Sequence, residues 1–380
     1  MSEAGDLQSI RERIERVDHE LLALLKQRMA LVEEIARAKI ETAAPFRDAQ
    51  REEHVLQRVR HLAVELGLDA HGVEHLYRQI MEMSISHQQA FIHALADTPL
   101  RIAYQGVEGS YSHLAAQRRY AGRAGGALLT GYDTFQAAVA AVREGEVDLA
   151  LLPIENTTAG SVSDTVDLLA EGGIVITAEV VHRVEHCLLA IPGTPLEAIR
   201  TVISHPQALA QCATFLHGLP NVRARGEFDT AGAARKVAQE SDPTLAAIAS
   251  ESAASMYGLA VLRRGIQSHP ENATRFVEVA REAVPCAPDV PCKTSLMLVL
   301  THRPGALGEV LAGLSARGVN LTKIESRPIA GRAWQYRFYL DIDGHAASPE
   351  VHGALSDVAP LVSELRVLGT YPKADPVESA

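Results

Sequence analysis

Apolar residues at Leu7, Ile10, Ile14, Val17, Leu21, Leu24, Leu31 and Ile35 recur in steps of three and four. That spacing draws one face of a helix, running from near Asp6 to Ile40 and broken around Pro45. Two more helical stretches follow, from about Asp48 to Leu66 and from about Gly72 to Ala94. At ~1.5 Å per residue the first helix is about 50 Å long, too long for a compact three-helix monomer. Its stripe is expected to bury against a second chain. Arg28 takes the step between Leu24 and Leu31 where a leucine would continue the series. A guanidinium on a buried face is costly unless compensated. It either snorkels to the helix edge, pairs with a glutamate of a neighbouring helix, or meets an anion.

After LADTPL the period changes. From Arg101 to about Arg281 short apolar runs alternate with Ala-rich helical stretches: RIAYQG, VDLALLPIEN, GIVITAEVV, HCLLAI, TVISHP, AAIASES and TRFVEVA. This alternation predicts an α/β domain. VPCAPDVPCK, with three prolines in ten residues, reads as a linker. The last stretch restarts with SLMLVL, a helix punctuated by Pro304 and Gly318, strands VNLTKIES and QYRFYLDI, a helix near 348–358 and the strand ELRVLGTY. That β-α-β-β-α-β order predicts a ferredoxin-like α+β unit. The three domains are placed at 1–95, 100–282 and 294–373.

Composition narrows the function. The chain of 380 residues is 47% hydrophobic with a net charge of −11, which argues against nucleic acid or an anionic membrane as partner. No apolar run reaches the ~20 residues of a membrane span. The start, MSEAGDLQS, does not resemble a signal peptide, so a cytoplasmic location is expected. Four scattered cysteines, Cys187, Cys212, Cys286 and Cys292, are expected as reduced thiols and match no metal motif. Neither GxGxxG after the first strand nor GxxxxGK[ST] occurs, so nucleotide binding has no support.

Each helix of the first stretch carries a polar patch. Arg28 and Lys39 lie eleven residues apart, close to three turns; Asp48, Arg51 and Glu52 stand at i, i+3, i+4; Ser84 and Gln88 at i, i+4. Taken singly, each is a solvated face. In the α/β stretch, GVEGSYSH, ENTTAGSVSD, SHPQ and SES place hydroxyls, amides and glycines at strand ends, where helix N-termini form anion-binding corners. The same serines serve equally as helix caps, and a passive amino-acid-binding module would look much the same.

With these residues in view, the chain resembles the bifunctional chorismate mutase/prephenate dehydratase family with a C-terminal ACT domain, over essentially its full length. The resemblance implies an all-α mutase domain forming an intertwined helical dimer. It also implies a two-lobed, periplasmic-binding-protein-like α/β dehydratase domain and a ferredoxin-like ACT domain. No cofactor or metal is implied. The mutase pocket would comprise Arg11, Arg28, Lys39, Asp48, Arg51, Glu52, Ser84 and Gln88. Arginines would hold the carboxylates of chorismate, and Lys39 and Gln88 would donate to the ether oxygen. NATRFVEV and PIENT resemble dehydratase motifs. On them Thr274 would assist departure of the prephenate hydroxyl, with Asn156, Gln211 and Arg275 contacting carboxylate or hydroxyl. Glu155, Thr157, Ser204 and His205 would shape the site, and Phe276 would pack beside the ring. GALGEVL and ESRP resemble the L-phenylalanine motifs of ACT domains, implying Gly305, Ala306, Leu307, Glu325, Ser326 and Arg327 as effector contacts. A non-catalytic amino-acid sensor is the rival, and a full set of mutase-type residues alongside the Thr-Arg-Phe triplet speaks against it.

Overall fold

The computed structural model describes residues 3–42, 49–95, 99–123, 125–284, 286, 290–301, 303–329, 331–332 and 335–374. Two compact units divide it, Met1–Asp97 and Thr98–Ala380. The first is three helices: α1 (Glu3–Thr42), α2 (Ala49–Glu65) and α3 (Ala70–Leu95). Asp69 accepts from the Gly72 amide at 2.9 Å, a cap that starts α3 slightly before the sequence pattern suggests. Helix α3 packs against both α1 and α2, around Val32, Ala36, Leu56, Val59, Ala63 and Ile85. The face of α1 that packs is therefore not the stripe that dominates the sequence. Ile14, Val17, Leu21, Leu24 and Leu31 are 53–59% exposed. An apolar row of that length in water marks a surface for association.

The second unit begins with a lobe of β1 (Leu100–Gln105), α4 (Tyr111–Tyr120), β2 (Ala127–Tyr132), α5 (Phe135–Glu144), β3 (Leu149–Asn156), β4 (Gly160–Ser161), α6 (Ser163–Glu171) and β5 (Val175–Arg183). A second lobe follows: β6 (Cys187–Ala190), β7 (Thr201–Ser204), α7 (Pro206–Gln211), α8 (Ala213–His217), β8 (Arg223–Gly226), α9 (Thr230–Glu240), β9 (Leu245–Ala249), α10 (Glu251–Tyr257) and β10 (Ala260–Arg263). The chain then returns through β11 (Ala273–Ala280) to the middle of the first sheet, whose order is β2-β1-β3-β11-β5 with β4 beside β3. The second sheet runs β10-β6-β9-β7-β8. Strands β2, β8 and β10 are not among the strands that the apolar pattern predicts. They lie at sheet edges, and β8, RARG, is exposed throughout, so burial imposed no apolar pattern on it.

The third sheet is formed by β12 (Cys292–Leu300), β13 (Leu321–Pro328), β14 (Tyr336–Asp343) and β15 (Val362–Pro372), with α11 (Ala306–Ala316) and α12 (Pro349–Val358) between them. Its order, β13-β14-β12-β15, completes the β-α-β-β-α-β unit. One face packs on the two helices through Leu296, Leu298, Leu340, Val310, Leu314 and Ala354. The other joins the first lobe's core: Met297, Tyr339, Leu368 and Tyr371 cluster with Ile154, Val166, Leu169 and Ile176. The approach is so close that a Cβ at Gly369 would strike the Ile176 carbonyl. One expectation is corrected here. Cys286 and Cys292 are joined as a disulfide, Cα–Cα 7.3 Å, because Cys286 lies against Cys292 at the start of β12. Cys187 and Cys212 are free and buried.

Candidate active sites and effector site

Strands β3 and β11 pair in register Asn156↔Thr274 and Glu155↔Arg275. Successive strand residues point to opposite faces, so the two motifs divide by face. On one face Asn156 Nδ2 donates to Thr274 Oγ1 at 3.0 Å and to Asn272 Oδ1 at 2.8 Å. Gln211, carried across by α7 of the second lobe, donates to Asn156 Oδ1 at 3.2 Å and to Thr158 Oγ1 at 2.7 Å. Its own carbonyl oxygen faces His186 Nε2 at 2.8 Å, and Tyr111 lies 3.0 Å from His186 Nδ1. Burial raises the Tyr111 pKa well above its ordinary value and lowers that of His186, so the pair is a phenol and a neutral imidazole. Tyr111 donates its proton to the Glu185 carbonyl at 2.6 Å, and beyond it the donors run one way, His186 to Gln211 to Asn156 to Thr274. Because Thr274 accepts, its own proton is directed onward.

His182 faces Thr274 across β5 and β11. Burial, with Arg118 nearby, holds its pKa down to about 4. Beside it Tyr111, Gln117, Arg118, His182, Arg183 and Ser250 line a cavity of about 490 Å³. Other expected residues have structural posts. Ser204 is fully buried and donates to the Ile248 carbonyl at 2.6 Å. His205 caps α7 through Nδ1, 3.2 Å from the Gln207 amide. Thr157 Oγ1 links Glu271 O and the Ala273 amide at the return into β11. Phe276 is 1% exposed, among Ala115, Ala116, Leu151 and Val180; it supports α4 and offers no free ring face.

Arg275 is turned away from Thr274. Its guanidinium meets Asp341 at 2.7 Å and Glu155 and Glu179 each at 3.1 Å. Burial disfavours its charge, but Asp341, Tyr371 and Glu179 hold its pKa above the ordinary arginine value. Its partners are all protein carboxylates, so it is not aimed at a substrate on the Thr274 face. Alternation along the strand is the physical reason.

In the helical unit Arg28 Nη1 donates to Ser84 Oγ and lies 3.5 Å from the Ile80 carbonyl, so two expected pocket residues meet across α1 and α3. Burial lowers the Arg28 pKa, since its hydrogen-bond partners among the described residues are neutral. Glu74 takes Arg60 from α2 and Arg78 from α3, and these two bonds hold its carboxyl down to about 2. Arg11 is exposed on the same continuous helix as Arg28, about 25 Å away along its axis. Asp48 lies outside the described residues, as do the side chains of Lys39, Arg51, Glu52 and Gln88.

Gly305, in the left-handed region at φ 82°, opens α11; the Ala306 amide turns back to the Arg303 carbonyl at 3.3 Å, and the next amides of the first turn face the helix's N-terminal end. With Ala306, Leu307, Arg303, Tyr336 and Phe338 it lines a cavity of about 590 Å³. Ser326 pairs with Phe338, which pairs with Leu298, so Ser326 shares the helix-covered face of the sheet with this cavity. Glu325 and Arg327 alternate to the other face, where Arg327 meets Asp167 of the first lobe at 2.8 Å. Within one chain the two expected effector motifs therefore do not converge as a set.

Three family models match the chain: chorismate mutase type II at 10–89, prephenate dehydratase at 102–284 and the ACT domain at 294–360. It is 39% identical to the bifunctional chorismate mutase/prephenate dehydratase of Escherichia coli (strain K12), over 99% of each chain. The chain belongs to that bifunctional family. Among solved structures, a prephenate dehydratase from Arthrobacter aurescens in complex with L-Phe has a TM-score of 0.66 and 33% identity, covering 72% of this chain and 90% of its own. GqqA, described as a novel type of quorum quenching acylase, has a TM-score of 0.64 and 38% identity, over 73% of this chain and 98% of its own.

The cluster around Thr274 holds five residues that the expected site did not include: Tyr111, Thr158, His182, His186 and Asn272. Tyr111 stood inside a quoted motif, GVEGSYSH. Asn272 opened the quoted motif NATRFVEV, Thr158 stood in ENTTAGSVSD and His186 headed the run HCLLAI, but none of them was given a role there.

Proposed function

We propose that the chain converts chorismate to prephenate in its helical unit and prephenate to phenylpyruvate at Thr274, under feedback inhibition by L-phenylalanine. Domain limits of 1–95, 100–282 and 294–373 suit this division. The single observation that carries the dehydratase assignment is the Asn156–Thr274 hydrogen bond at 3.0 Å, which leaves the threonine proton for a substrate oxygen. Prephenate loses its carboxylate as carbon dioxide. The electrons left behind form the aromatic ring as the C–OH bond breaks, and the departing hydroxide takes a proton and leaves as water. Thr274 donates to that oxygen while the bond breaks, and solvent restores the proton. Aromatisation supplies much of the driving force, so a hydroxyl held by neutral amides suffices.

Chorismate rearranges without a nucleophile, so the helical unit has only to hold a dianion and stabilise the ether oxygen. The charge of Arg28, met by neutral hydrogen-bond partners among the described residues, suits that task. Arg11 joins it from a second subunit, with the exposed stripe of α1 as the dimer seam. That arrangement supports a homodimer or a higher assembly of it, and a cytoplasmic location is part of this reading; no helix among the described residues is long and apolar enough to cross a membrane. For the effector, phenylalanine is supported by the Gly305 cavity and by the complex of the Arthrobacter prephenate dehydratase with L-Phe. The test is one assay: supply chorismate and follow phenylpyruvate by absorbance, with and without phenylalanine. No phenylpyruvate from a folded chain that consumes chorismate would remove the dehydratase assignment.

A further inference from the structure

The back face of β3 and β11 is gripped by the third sheet. Glu155 and Arg275, each one residue from Asn156 and Thr274, carry the grip. Asp341 on β14 holds Arg275 at 2.7 Å and is itself fixed by Ser295 Oγ at 2.6 Å. Lys323 on β13 reaches Ser161 Oγ at 3.0 Å and Glu155 at 3.4 Å. Lys293 on β12 holds Glu179 at 2.7 Å, and Glu179 returns to Arg275 at 3.1 Å. The side chains of Arg275, Glu179, Asp341, Lys323 and Lys293 are all under 15% exposed. Glu155, at 39%, is the exposed member; separating the buried pairs leaves a desolvated charge behind, so they resist being pulled apart. Lys323 also meets Glu325 at 3.4 Å, and Glu325 opens the ESRP stretch.

We infer that Asp341 and Lys323 are positioning residues for the dehydratase site, and that this cluster is the route by which the ACT sheet acts on Thr274 and Asn156. The inference rests on the readings of Thr274 as the dehydratase residue and of phenylalanine as effector. A shift of β13 or β14 relative to the first lobe pulls on Glu155 or Arg275. Each shares its backbone with the neighbouring active-site residue, which lies on the opposite face. Displacement of a catalytic hydroxyl by a fraction of an ångström is enough to change a rate. A change in the ACT sheet therefore reaches the Asn156–Thr274 pair without any contact between effector and substrate.

The experiment uses full-length Asp341→Asn, which keeps the Ser295 contact and removes the charge, and Lys323→Gln. Dehydratase kcat is expected to fall about tenfold, with KM for prephenate within about twofold. Phenylalanine binding by calorimetry is expected to stay near wild type while its effect on dehydratase rate is largely lost. Wild-type inhibition by phenylalanine in both variants overturns the inference. Hydrogen exchange on the wild-type chain gives a measurement that does not depend on either variant folding. Phenylalanine should alter exchange across residues 153–158 and 272–277, and unchanged exchange there also overturns it. Failure of the underlying readings is separable: Thr274→Ala with normal dehydratase rate removes the active-site reading, and a wild-type chain that binds no phenylalanine removes the effector reading.

Discussion

The helical unit and the larger unit provide for their buried polar side chains in opposite ways. In Thr98–Ala380 the polar side chains near Thr274 find partners within the chain, from Tyr111 through His186, Gln211 and Asn156. In Met1–Asp97 the apolar stripe of α1 is left in water and Arg28 meets only neutral groups among the described residues. A chain of some 280 residues folded as two lobes and a sheet can close its own cleft. Three helices have too little surface to cover both a long stripe and a charged pocket. Incomplete burial inside one chain is thus itself a structural signal, and it is what the proposed second copy would cover.

The strongest way to break that comparison is to separate Arg11 from Arg28. Arg11→Ala and Arg28→Ala homodimers should each be nearly inactive as mutases, with dehydratase activity retained. Unfolded and refolded together in equal amounts, half of the dimers are mixed and each has one intact pocket. Mutase activity should return to about a quarter of wild type. Mixed dimers verified by mass spectrometry without recovered activity would show that one chain builds the pocket alone.

Thr274→Ala tests the self-contained site in the other unit. Dehydratase turnover should fall roughly a hundredfold, and mutase turnover should not change. A near-normal rate of phenylpyruvate formation from prephenate would exclude Thr274 as the donor.

Gly305→Val probes the turn at φ 82°, a region β-branched residues avoid. Phenylalanine affinity should drop about tenfold, read by calorimetry, because the α11 amides tilt away from the cavity. Uninhibited rates of both reactions should stay close to wild type. Unaltered affinity would move the effector elsewhere.

The smallest effect concerns acid stability. His182 takes up its proton near 6.5 when unfolded and only at about 4 when folded. As pH falls from 6.5 towards 4 the unfolded chain binds the extra proton, so stability supplied by the neutral ring is progressively lost. His182→Gln should flatten this part of the curve in denaturant titrations of the full chain between pH 7 and 4. An unchanged slope would show that His182 does not contribute to it.

Periodicity alone made the three N-terminal helices and the β-α-β-β-α-β order of the last sheet legible, because helix and strand faces repeat at 3.6 and 2 residues. It made the apolar core strands of both lobes legible as well. It could not reveal β8, whose four residues are all exposed, since an edge strand is held by backbone hydrogen bonds that any sequence can make. The candidate sites divide along the same line. Spacing singled out Arg28 and Ser84, and the resemblance to the family singled out Thr274, Asn156 and Gln211. They did not decide that Arg275 and Glu155 face the ACT sheet, that Phe276 lies in the core under α4, or that Glu325 and Arg327 turn from the Gly305 cavity. Nor did they place His186 between Tyr111 and Gln211. Local sequence sets which side chains alternate along a strand. Which face looks into a cleft and which into another domain depends on what packs there, and that is decided only when distant segments meet.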